Sequence, residues 1–125
     1  MGKKVLVIDD EAADSKRIAA ALSAEGYEVV EATSVDEAMN KAQKTLPDLV
    51  VVDVVLPDTT GFDICRKIKA TFQPHPPRVL MITGKAAAVN VPLAHRMGAD
   101  GFEAKTSDMA HVVKAARDIL SRSNN

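Results

Sequence analysis

The chain has 125 residues, of which 46% are hydrophobic and 26% are charged, and its formal net charge is −1. This composition excludes a disordered or collagen-like chain. The near-zero charge, with three Phe and one Tyr as the aromatic residues, excludes a globally basic, base-stacking surface for nucleic acid.

The single cysteine and the N-terminus bear on the compartment. Cys65 alone cannot form an internal disulfide or a multi-cysteine zinc site. The first apolar run, Val5–Ile8, is far too short for a signal-peptide core or a membrane span. We therefore expect a soluble cytoplasmic protein with no membrane partner.

Five short apolar runs at regular intervals predict five β-strands. The first, third and fourth are continuously apolar rather than alternating, which is typical of strands covered on both faces in a parallel sheet. The five runs are Val5–Ile8, Tyr27–Val30, Leu49–Val52, Val79–Ile82 and Gly101–Ala104.

The segments between the runs have the spacing of amphipathic helices. Ser34 and Glu37 form a capping-box pattern, and Gly26 and Gly98 stand where helices should end. Strands alternating with helices predict a doubly wound (βα)5 parallel sheet with right-handed crossovers. Two helix faces are predicted, one from Val35, Ala38, Met39, Ala42 and Leu46, the other from Met109, Val112, Val113, Ala116, Ile119 and Leu120.

No linker, repeat or low-complexity tract divides the chain. We expect residues 1–125 to form one domain, with residues 121–125 as a frayed tail and no room for an output domain. Such a domain must act through its own surface.

Polar side chains collect at the predicted ends of the strands, where ligands bind in open α/β sheets. Asp9 and Asp10 follow the first strand, and Asp53 follows the third. Thr83 and Lys105 follow the fourth and fifth. Crowded carboxylates favour a hard divalent cation, Mg²⁺ or Mn²⁺, and a hydroxyl and an ammonium beside them suit a phosphoryl group. Asp53, on the central strand, is the predicted phosphoryl acceptor.

Four segments in order resemble the receiver domain of two-component response regulators, of the single-domain, chemotaxis-regulator type. The resemblance covers essentially the whole chain and implies a flavodoxin-like sheet of strand order 2-1-3-4-5. The segments are Val5–Glu11 (VLVIDDE), Val51–Gly61 (VVDVVLPDTTG), Ile82–Gly84 (ITG) and Gly98–Lys105 (GADGFEAK).

The resemblance implies a role for each matching residue. Asp53 would accept phosphate from a sensor histidine kinase or phosphotransfer protein, and Lys105 and Thr83 would bind phosphoryl oxygens. Movement of Thr83 would let Phe102 turn inward and change the surface of helix 4, strand 5 and helix 5, which would signal to a protein partner. The chain would be a phosphoprotein that takes part in its own phosphorylation and autodephosphorylation, not an enzyme with a separate substrate. The implied Mg²⁺ ligands are Asp9 (mainly through water), Asp10, Asp53 and the Val55 carbonyl.

Three positions depart from the family pattern. Thr106 follows Lys105 where the family usually has a cis-proline, so we expect a trans bond there. Phe102 stands where tyrosine is commoner, and hydrophobicity should favour its inward state. Thr60 stands where Asp is frequent, and we assign no function to it.

Other features have plainer interpretations. Cys65 is expected in the core, on the helix after Gly61, with Phe62, Ile64, Ile68 and Phe72. The three histidines, His75, His95 and His111, lack metal-ligand spacing. Arg66, Lys67 and Lys69 are expected to be a solvated helix face, with a kinase contact as the alternative. The nearly uncharged stretch 86–92 is interpreted as a mobile loop, or else as a partner surface reshaped by phosphorylation.

Rival functions are weaker. A haloacid-dehalogenase-type phosphatase needs Asp-x-Asp after strand 1, whereas this sequence has adjacent Asp9 and Asp10. A flavin-binding protein needs a phosphate-binding loop there, and Asp9 and Asp10 would repel the phosphate. The remaining alternative is a receiver-fold interaction module without a phosphorylation cycle. The sequence does not identify the kinase, the pathway or the output target.

Overall fold

In a computed structural model of the protein, parallel strands alternate with helices along the chain. The structure describes residues 2–57, 59–84, 91–96, 98–105 and 109–122. The elements are β1 (Lys4–Ile8), α1 (Ala12–Ser23), β2 (Glu28–Ala32), α2 (Val35–Thr45), β3 (Leu49–Asp53), α3 (Gly61–Thr71), β4 (Arg78–Thr83), α4 (Val91–Arg96), β5 (Gly101–Ala104) and α5 (Ala110–Leu120).

The strands form one parallel sheet of order β2-β1-β3-β4-β5. This confirms the predicted doubly wound, flavodoxin-like fold. β3 is the central strand and is buried along its whole length, as its continuous apolar run predicts. In the register of the sheet, Asp53 of β3 lies opposite Ile82 and Thr83 of β4 lies opposite Ala104. The carboxyl ends of β3, β4 and β5 therefore meet at one edge.

Helices cover both faces of the sheet. Side chains of α1 and α5, among them Leu22 and Val112, pack on one face, which we call the α1–α5 face. Side chains of α2 and α3, among them Ala42 and Ile68, pack on the other, the α2–α3 face. Successive strand residues alternate between the two clusters because side chains of a strand alternate across the sheet.

The end of α2 corrects one sequence prediction. Leu46 was expected on the buried face of that helix, but the helix ends at Thr45 and Leu46 is 68% exposed. Its φ of 49° places it in the left-handed region, and its N–H bonds the carbonyl of Ala42 as a C-cap. The reversal of the chain turns the side chain away from the core.

Turn and cap signals behave largely as predicted. Gly26 and Gly98 follow helices and have φ of 94° and 100°, a conformation that favours glycine. Ser34 caps α2 by accepting a hydrogen bond from the N–H of Glu37 at 3.2 Å. The Glu37 carboxylate accepts from the N–H of Thr33 at 2.7 Å, one residue before the cap position of an ordinary capping box.

Several sequence predictions lie outside the described residues. They concern the Lys105–Thr106 peptide bond, most of the stretch 86–92 and the last residues of the expected tail. Pro92 is the second residue of α4 and so lies in the first turn, where proline is tolerated. Within the described part of the chain, no helix has the length and apolarity needed to cross a membrane.

Candidate functional site

Asp53 stands at the carboxyl end of the central strand and is only 5% exposed. Its Oδ1 accepts a hydrogen bond from the backbone N–H of Val55 at 3.0 Å. Its Oδ2 accepts one from the ammonium of Lys105 at 2.8 Å. Both oxygens are therefore held in defined directions by groups on two different strand ends.

Two more carboxylates lie beside Asp53. Asp9, directly after β1, is fully buried, and its Oδ1 accepts a hydrogen bond from the N–H of Glu11 at 2.9 Å. Asp10 is exposed. One carboxylate oxygen from each of Asp9, Asp10 and Asp53 lies within 4.8 Å of the others. The structure thus brings together the three carboxylates predicted from the strand ends.

Lys105 follows β5 and supplies positive charge to this cluster. Its own N–H donates to the carbonyl of Thr83 at 2.7 Å, which ties its backbone to the end of β4. The ammonium lies 2.7 Å from Asp9 Oδ2 and 2.8 Å from Asp53 Oδ2. Burial alone would lower the pKa of Lys105, but the hydrogen bonds that it donates to Asp53 and Asp14 and its attraction to Asp9 outweigh that effect and raise the pKa. The lysine is therefore charged throughout the physiological range.

A third carboxylate on this ammonium was not predicted from the sequence. Asp14, in the first turn of α1, accepts a hydrogen bond from Lys105 Nζ at 3.0 Å, and its other oxygen lies 3.3 Å from Arg17. Asp14 is on a helix rather than at a strand end, so the strand-end rule passes over it. Its signal in the sequence is its position four residues after Asp10, because the first turn of a crossover helix starts at the same edge of the sheet.

Asp9 shows what this crowding does to one carboxyl group. Burial raises the pKa of Asp9, and the nearby Lys105 only partly offsets that effect. Asp9 Oδ2 is within ion-pair distance of Lys105, at 2.7 Å, but it makes no hydrogen bond. A buried carboxylate oxygen without a hydrogen bond is suited to a cation.

The donor set fits a hard divalent cation. Three carboxylates at mutual oxygen distances within 4.8 Å offer the oxygen ligands that Mg²⁺ and Mn²⁺ prefer, and the exposed Asp10 leaves one side open to water. Val55, whose carbonyl was the fourth predicted ligand, is held beside Asp53 by its own N–H, and it is 62% exposed. The geometry is compatible with the predicted ligand set.

Thr83 and Phe102 are placed on the same face of the sheet. Thr83 is 1% exposed at the end of β4. It lies two residues after Met81, so its side chain is on the same side of the sheet, the α2–α3 face on which Met81 packs. Phe102 of β5 pairs with Met81 and is half-buried against that same cluster. A displacement at Thr83 would therefore be felt on the side of the sheet where the Phe102 ring packs.

The described residues that lead from β3 into α3 lie close against the end of β3. The N–H of Gly61 donates to the carbonyl of Val54 at 2.8 Å, and Val55 and Thr60 form an isolated antiparallel bridge. A Cβ at Gly61 would lie 2.5 Å from the backbone oxygen of Asp53, so glycine is needed for this approach. Thr60, to which no function was assigned, caps α3 by accepting from the N–H of Asp63 at 3.2 Å.

The plainer interpretations largely hold. Cys65 is fully buried in the core, where burial raises the pKa of its thiol to about 11. His75, His95 and His111 are exposed and belong to a loop and two different helices.

Lys69 corrects the expectation of a solvated basic face on α3. Its ammonium is half-buried and donates to Asp100 Oδ2 at 2.8 Å and to the carbonyl of Pro77 at 2.9 Å. Arg66, on the same helix, is 70% exposed, as expected.

Comparison with known proteins agrees with this geometry. A family model described as the response regulator receiver domain matches residues 5–117. The alkaline phosphatase synthesis transcriptional regulatory protein PhoP of Bacillus subtilis is 34% identical over 98% of this chain and 50% of its own length. The chain spans about half the length of the curated relatives it matches.

Two solved structures are similar over nearly their whole length. The chemotaxis protein CheY4 of Vibrio cholerae superposes with a TM-score of 0.87 at 28% identity, covering 95% of this chain and 99% of that one. The BeF3-activated N-terminal receiver domain of RstA from Klebsiella pneumoniae superposes with a TM-score of 0.83 at 27% identity, covering 95% of this chain and 99% of that one.

Proposed function

This chain belongs to the response regulator receiver domain family of two-component systems, and on that premise we propose that it is a phosphorylation switch whose acceptor is Asp53. A sensor histidine kinase or a phosphotransfer protein would donate the phosphoryl group in a Mg²⁺-dependent reaction. The observation that carries the proposal is the convergence of three carboxylates and one lysine ammonium on the end of the central strand.

The chemistry follows from the contacts of Asp53. A carboxylate oxygen of Asp53 attacks phosphorus, the P–N bond to the donor histidine breaks, and the imidazole nitrogen leaves with the bonding electrons. The hydrogen bond from the Val55 N–H to Oδ1 fixes the orientation of the carboxylate during this step. Lys105, at 2.8 Å from Oδ2, is placed to donate to a phosphoryl oxygen.

A divalent cation would neutralise the negative charge that accumulates here. Asp9, Asp10, Asp53 and the carbonyl of Val55 would hold Mg²⁺, or Mn²⁺, which would offset the repulsion between the carboxylates and the incoming phosphoryl oxygens. In autodephosphorylation Asp53 would be the leaving group instead of the nucleophile: water would attack phosphorus, and the Asp53 carboxylate would leave.

Transmission would begin at Thr83. Its hydroxyl would donate to a phosphoryl oxygen, and its displacement would let the half-buried Phe102 ring turn further inward on the α2–α3 face. The surface of α4, β5 and α5 would then change shape and engage a partner protein.

Thr83→Ala should still be phosphorylated, because Asp53 and Lys105 are unchanged, but the NMR shift changes on phosphorylation should remain near Asp53 and fade around Phe102. An undiminished response at Phe102 would place the coupling on another route.

The kind of partner that the switch engages is proposed from the charge of this chain and not from the names of its relatives. Several relatives are named as transcriptional or DNA-binding regulators, but the chain corresponds to about half of each. The chain's near-neutral charge supports a protein partner rather than nucleic acid. One domain over residues 1–125, and a cytoplasmic location, remain predictions.

Intact-mass spectrometry tests the proposal. The protein is incubated with Mg²⁺ and acetyl phosphate, and the wild type should gain one phosphoryl mass. Asp53→Asn should abolish the gain, whereas Asp63→Asn, an exposed carboxylate in the first turn of α3, should not. A wild type that gains no mass with this donor or with a histidine-phosphorylated donor would favour the alternative, an interaction module without a phosphorylation cycle.

A further inference from the structure

Asp14 is a carboxylate of the site that the proposed reaction does not use. It lies 3.0 Å from the ammonium of Lys105, which the proposed reaction uses to bind a phosphoryl oxygen. It lies on α1, whereas Asp9, Asp53 and Lys105 lie at strand ends. A helix-borne carboxylate on Lys105 must affect how readily that lysine can serve a phosphoryl group.

We propose that Asp14 is a positioning residue that holds Lys105 in the unphosphorylated protein and releases it to the phosphoryl group. This inference rests on the proposed function of Asp53. In the unphosphorylated state the ammonium donates hydrogen bonds to Asp53 and Asp14 and lies against Asp9. Phosphorylation places several anionic oxygens on Asp53, next to the same ammonium, so the balance of attractions shifts towards them.

Among the three carboxylates around Lys105, Asp14 is the one whose contact with the ammonium should break most easily. Its contact is the longest, at 3.0 Å against 2.7 Å for Asp9 and 2.8 Å for Asp53. Its side chain is 28% exposed, so water can solvate the released carboxylate, while Asp9 is fully buried. Asp14 also has a second cationic neighbour, Arg17, one turn along the same helix.

The consequence is a competition that favours the unphosphorylated state. The Asp14–Lys105 pair stabilises the protein before phosphorylation and is lost afterwards, and the Asp14 charge also repels an incoming anion. Removing the charge should therefore tighten binding of a phosphoryl mimic. A partly exposed ion pair of this kind corresponds to about a two- to fivefold change in affinity.

The test is an equilibrium titration with beryllofluoride, the phosphoryl mimic named for a related receiver domain. Wild type, Asp14→Asn and Asp36→Asn are compared at saturating Mg²⁺, so that altered cation affinity does not enter. Asp36 is the matched control, because it is an exposed aspartate in the first turn of α2. Asp14→Asn should bind about two- to fivefold more tightly, Asp36→Asn should bind like the wild type, and Asp14→Glu should restore wild-type affinity.

A second readout separates positioning from general charge effects. The ¹H–¹⁵N resonance of the Lys105 ammonium should differ between wild type and Asp14→Asn in the free proteins. It should coincide once beryllofluoride is bound, because Asp14 has then released the lysine. A difference that persists in the bound state would overturn the inference.

Failure of this inference is distinguishable from failure of the proposed function. If the wild type binds beryllofluoride but Asp14→Asn binds it equally or more weakly, Asp14 does not compete for Lys105, and the function of Asp53 stands. Equal tightening in Asp14→Asn and Asp36→Asn would also overturn it, since only net charge would matter. If the wild type neither binds beryllofluoride nor accepts phosphate, the proposed function itself is wrong.

Discussion

The two ends of the parallel sheet carry charge in opposite ways. At the carboxyl end, Lys105 is surrounded by the carboxylates of Asp9, Asp14 and Asp53, and Asp10 lies close to two of them. Negative charge exceeds positive charge there. We expect such an arrangement to lower stability in the absence of a bound cation.

At the amino end, charges are matched to their partners. Asp100, just before β5, accepts from the Lys69 ammonium and from the N–H of Val79, both at 2.8 Å. Asp48, just before β3, accepts from the N–H of Lys4 at 2.8 Å, and Arg78 donates to the carbonyl of Ile119 at 2.6 Å. These contacts join neighbouring strands and helices, so this end of the sheet serves stability.

The difference shows that the same residue type has opposite value at the two ends. An aspartate at the amino end completes a hydrogen-bond network, whereas an aspartate at the carboxyl end adds to a repulsion between carboxylates that Lys105 offsets only in part. Removing the charge of an aspartate should therefore change stability with opposite signs at the two ends.

The largest effect is expected at the amino end. Asp100→Ala should lower the free energy of unfolding by about 2–4 kcal/mol, because it leaves the half-buried Lys69 ammonium without its carboxylate partner and the Val79 N–H without its acceptor. Urea unfolding measures this change. Asp36→Ala, which removes an exposed carboxylate, is the control and should change stability little. A loss at Asp100 no larger than at Asp36 would erase the contrast between the ends.

A smaller effect is expected on the chemistry of the carboxyl end alone. Val55 is 62% exposed beside Asp53 and has no polar group to orient an attacking water. Val55→Asn should accelerate autodephosphorylation several-fold with little change in stability. Decay of the phosphoryl mass after removal of the donor measures this, with Val55→Leu as an apolar control. Unchanged decay would show that Val55 does not set the phosphoryl lifetime.

The smallest effect concerns backbone strain at the amino end. Leu46 holds a left-handed φ of 49° and is 68% exposed, so glycine would relieve strain while giving up little burial. Leu46→Gly should raise the free energy of unfolding by about 0.5–1 kcal/mol. Thermal unfolding measures the gain, and phosphorylation should be unchanged. If Leu46→Gly lowers stability, its side chain makes contacts that its exposure does not reveal.

Much of the fold and the strand-end part of the site could be predicted from the sequence. Continuous apolar runs such as Leu49–Val52 identify strands covered on both faces, and parallel strands put Asp53 and Lys105 on one edge. The prediction needs only local patterns and one topological rule, and both are visible in the chain.

The remaining features depend on contacts between distant segments. Lys69 looks like part of a solvated helix face, because helical periodicity says nothing of a partner 31 residues away at Asp100. Asp14 was missed for the same reason, since its partner Lys105 is 91 residues away. Leu46 was misplaced because the helix ends one residue earlier than its apolar spacing indicates.

The most direct test of the account is the stability of Asp53→Asn with and without Mg²⁺. In EDTA this variant should be more stable than the wild type by about 1–2 kcal/mol, because it relieves repulsion while Lys105 keeps Asp9 and Asp14. Asp100→Asn, the same chemical change at the amino end, should destabilise in both media.

Millimolar Mg²⁺ should stabilise the wild type by RT ln(1 + [Mg²⁺]/Kd) and the Asp53→Asn variant less, so that the difference between them shrinks or reverses. Urea unfolding of all three proteins in the two media gives the answer. An Asp53→Asn variant that is less stable than the wild type in EDTA would contradict the account, because repulsion between the carboxylates would then not lower the stability of the metal-free protein.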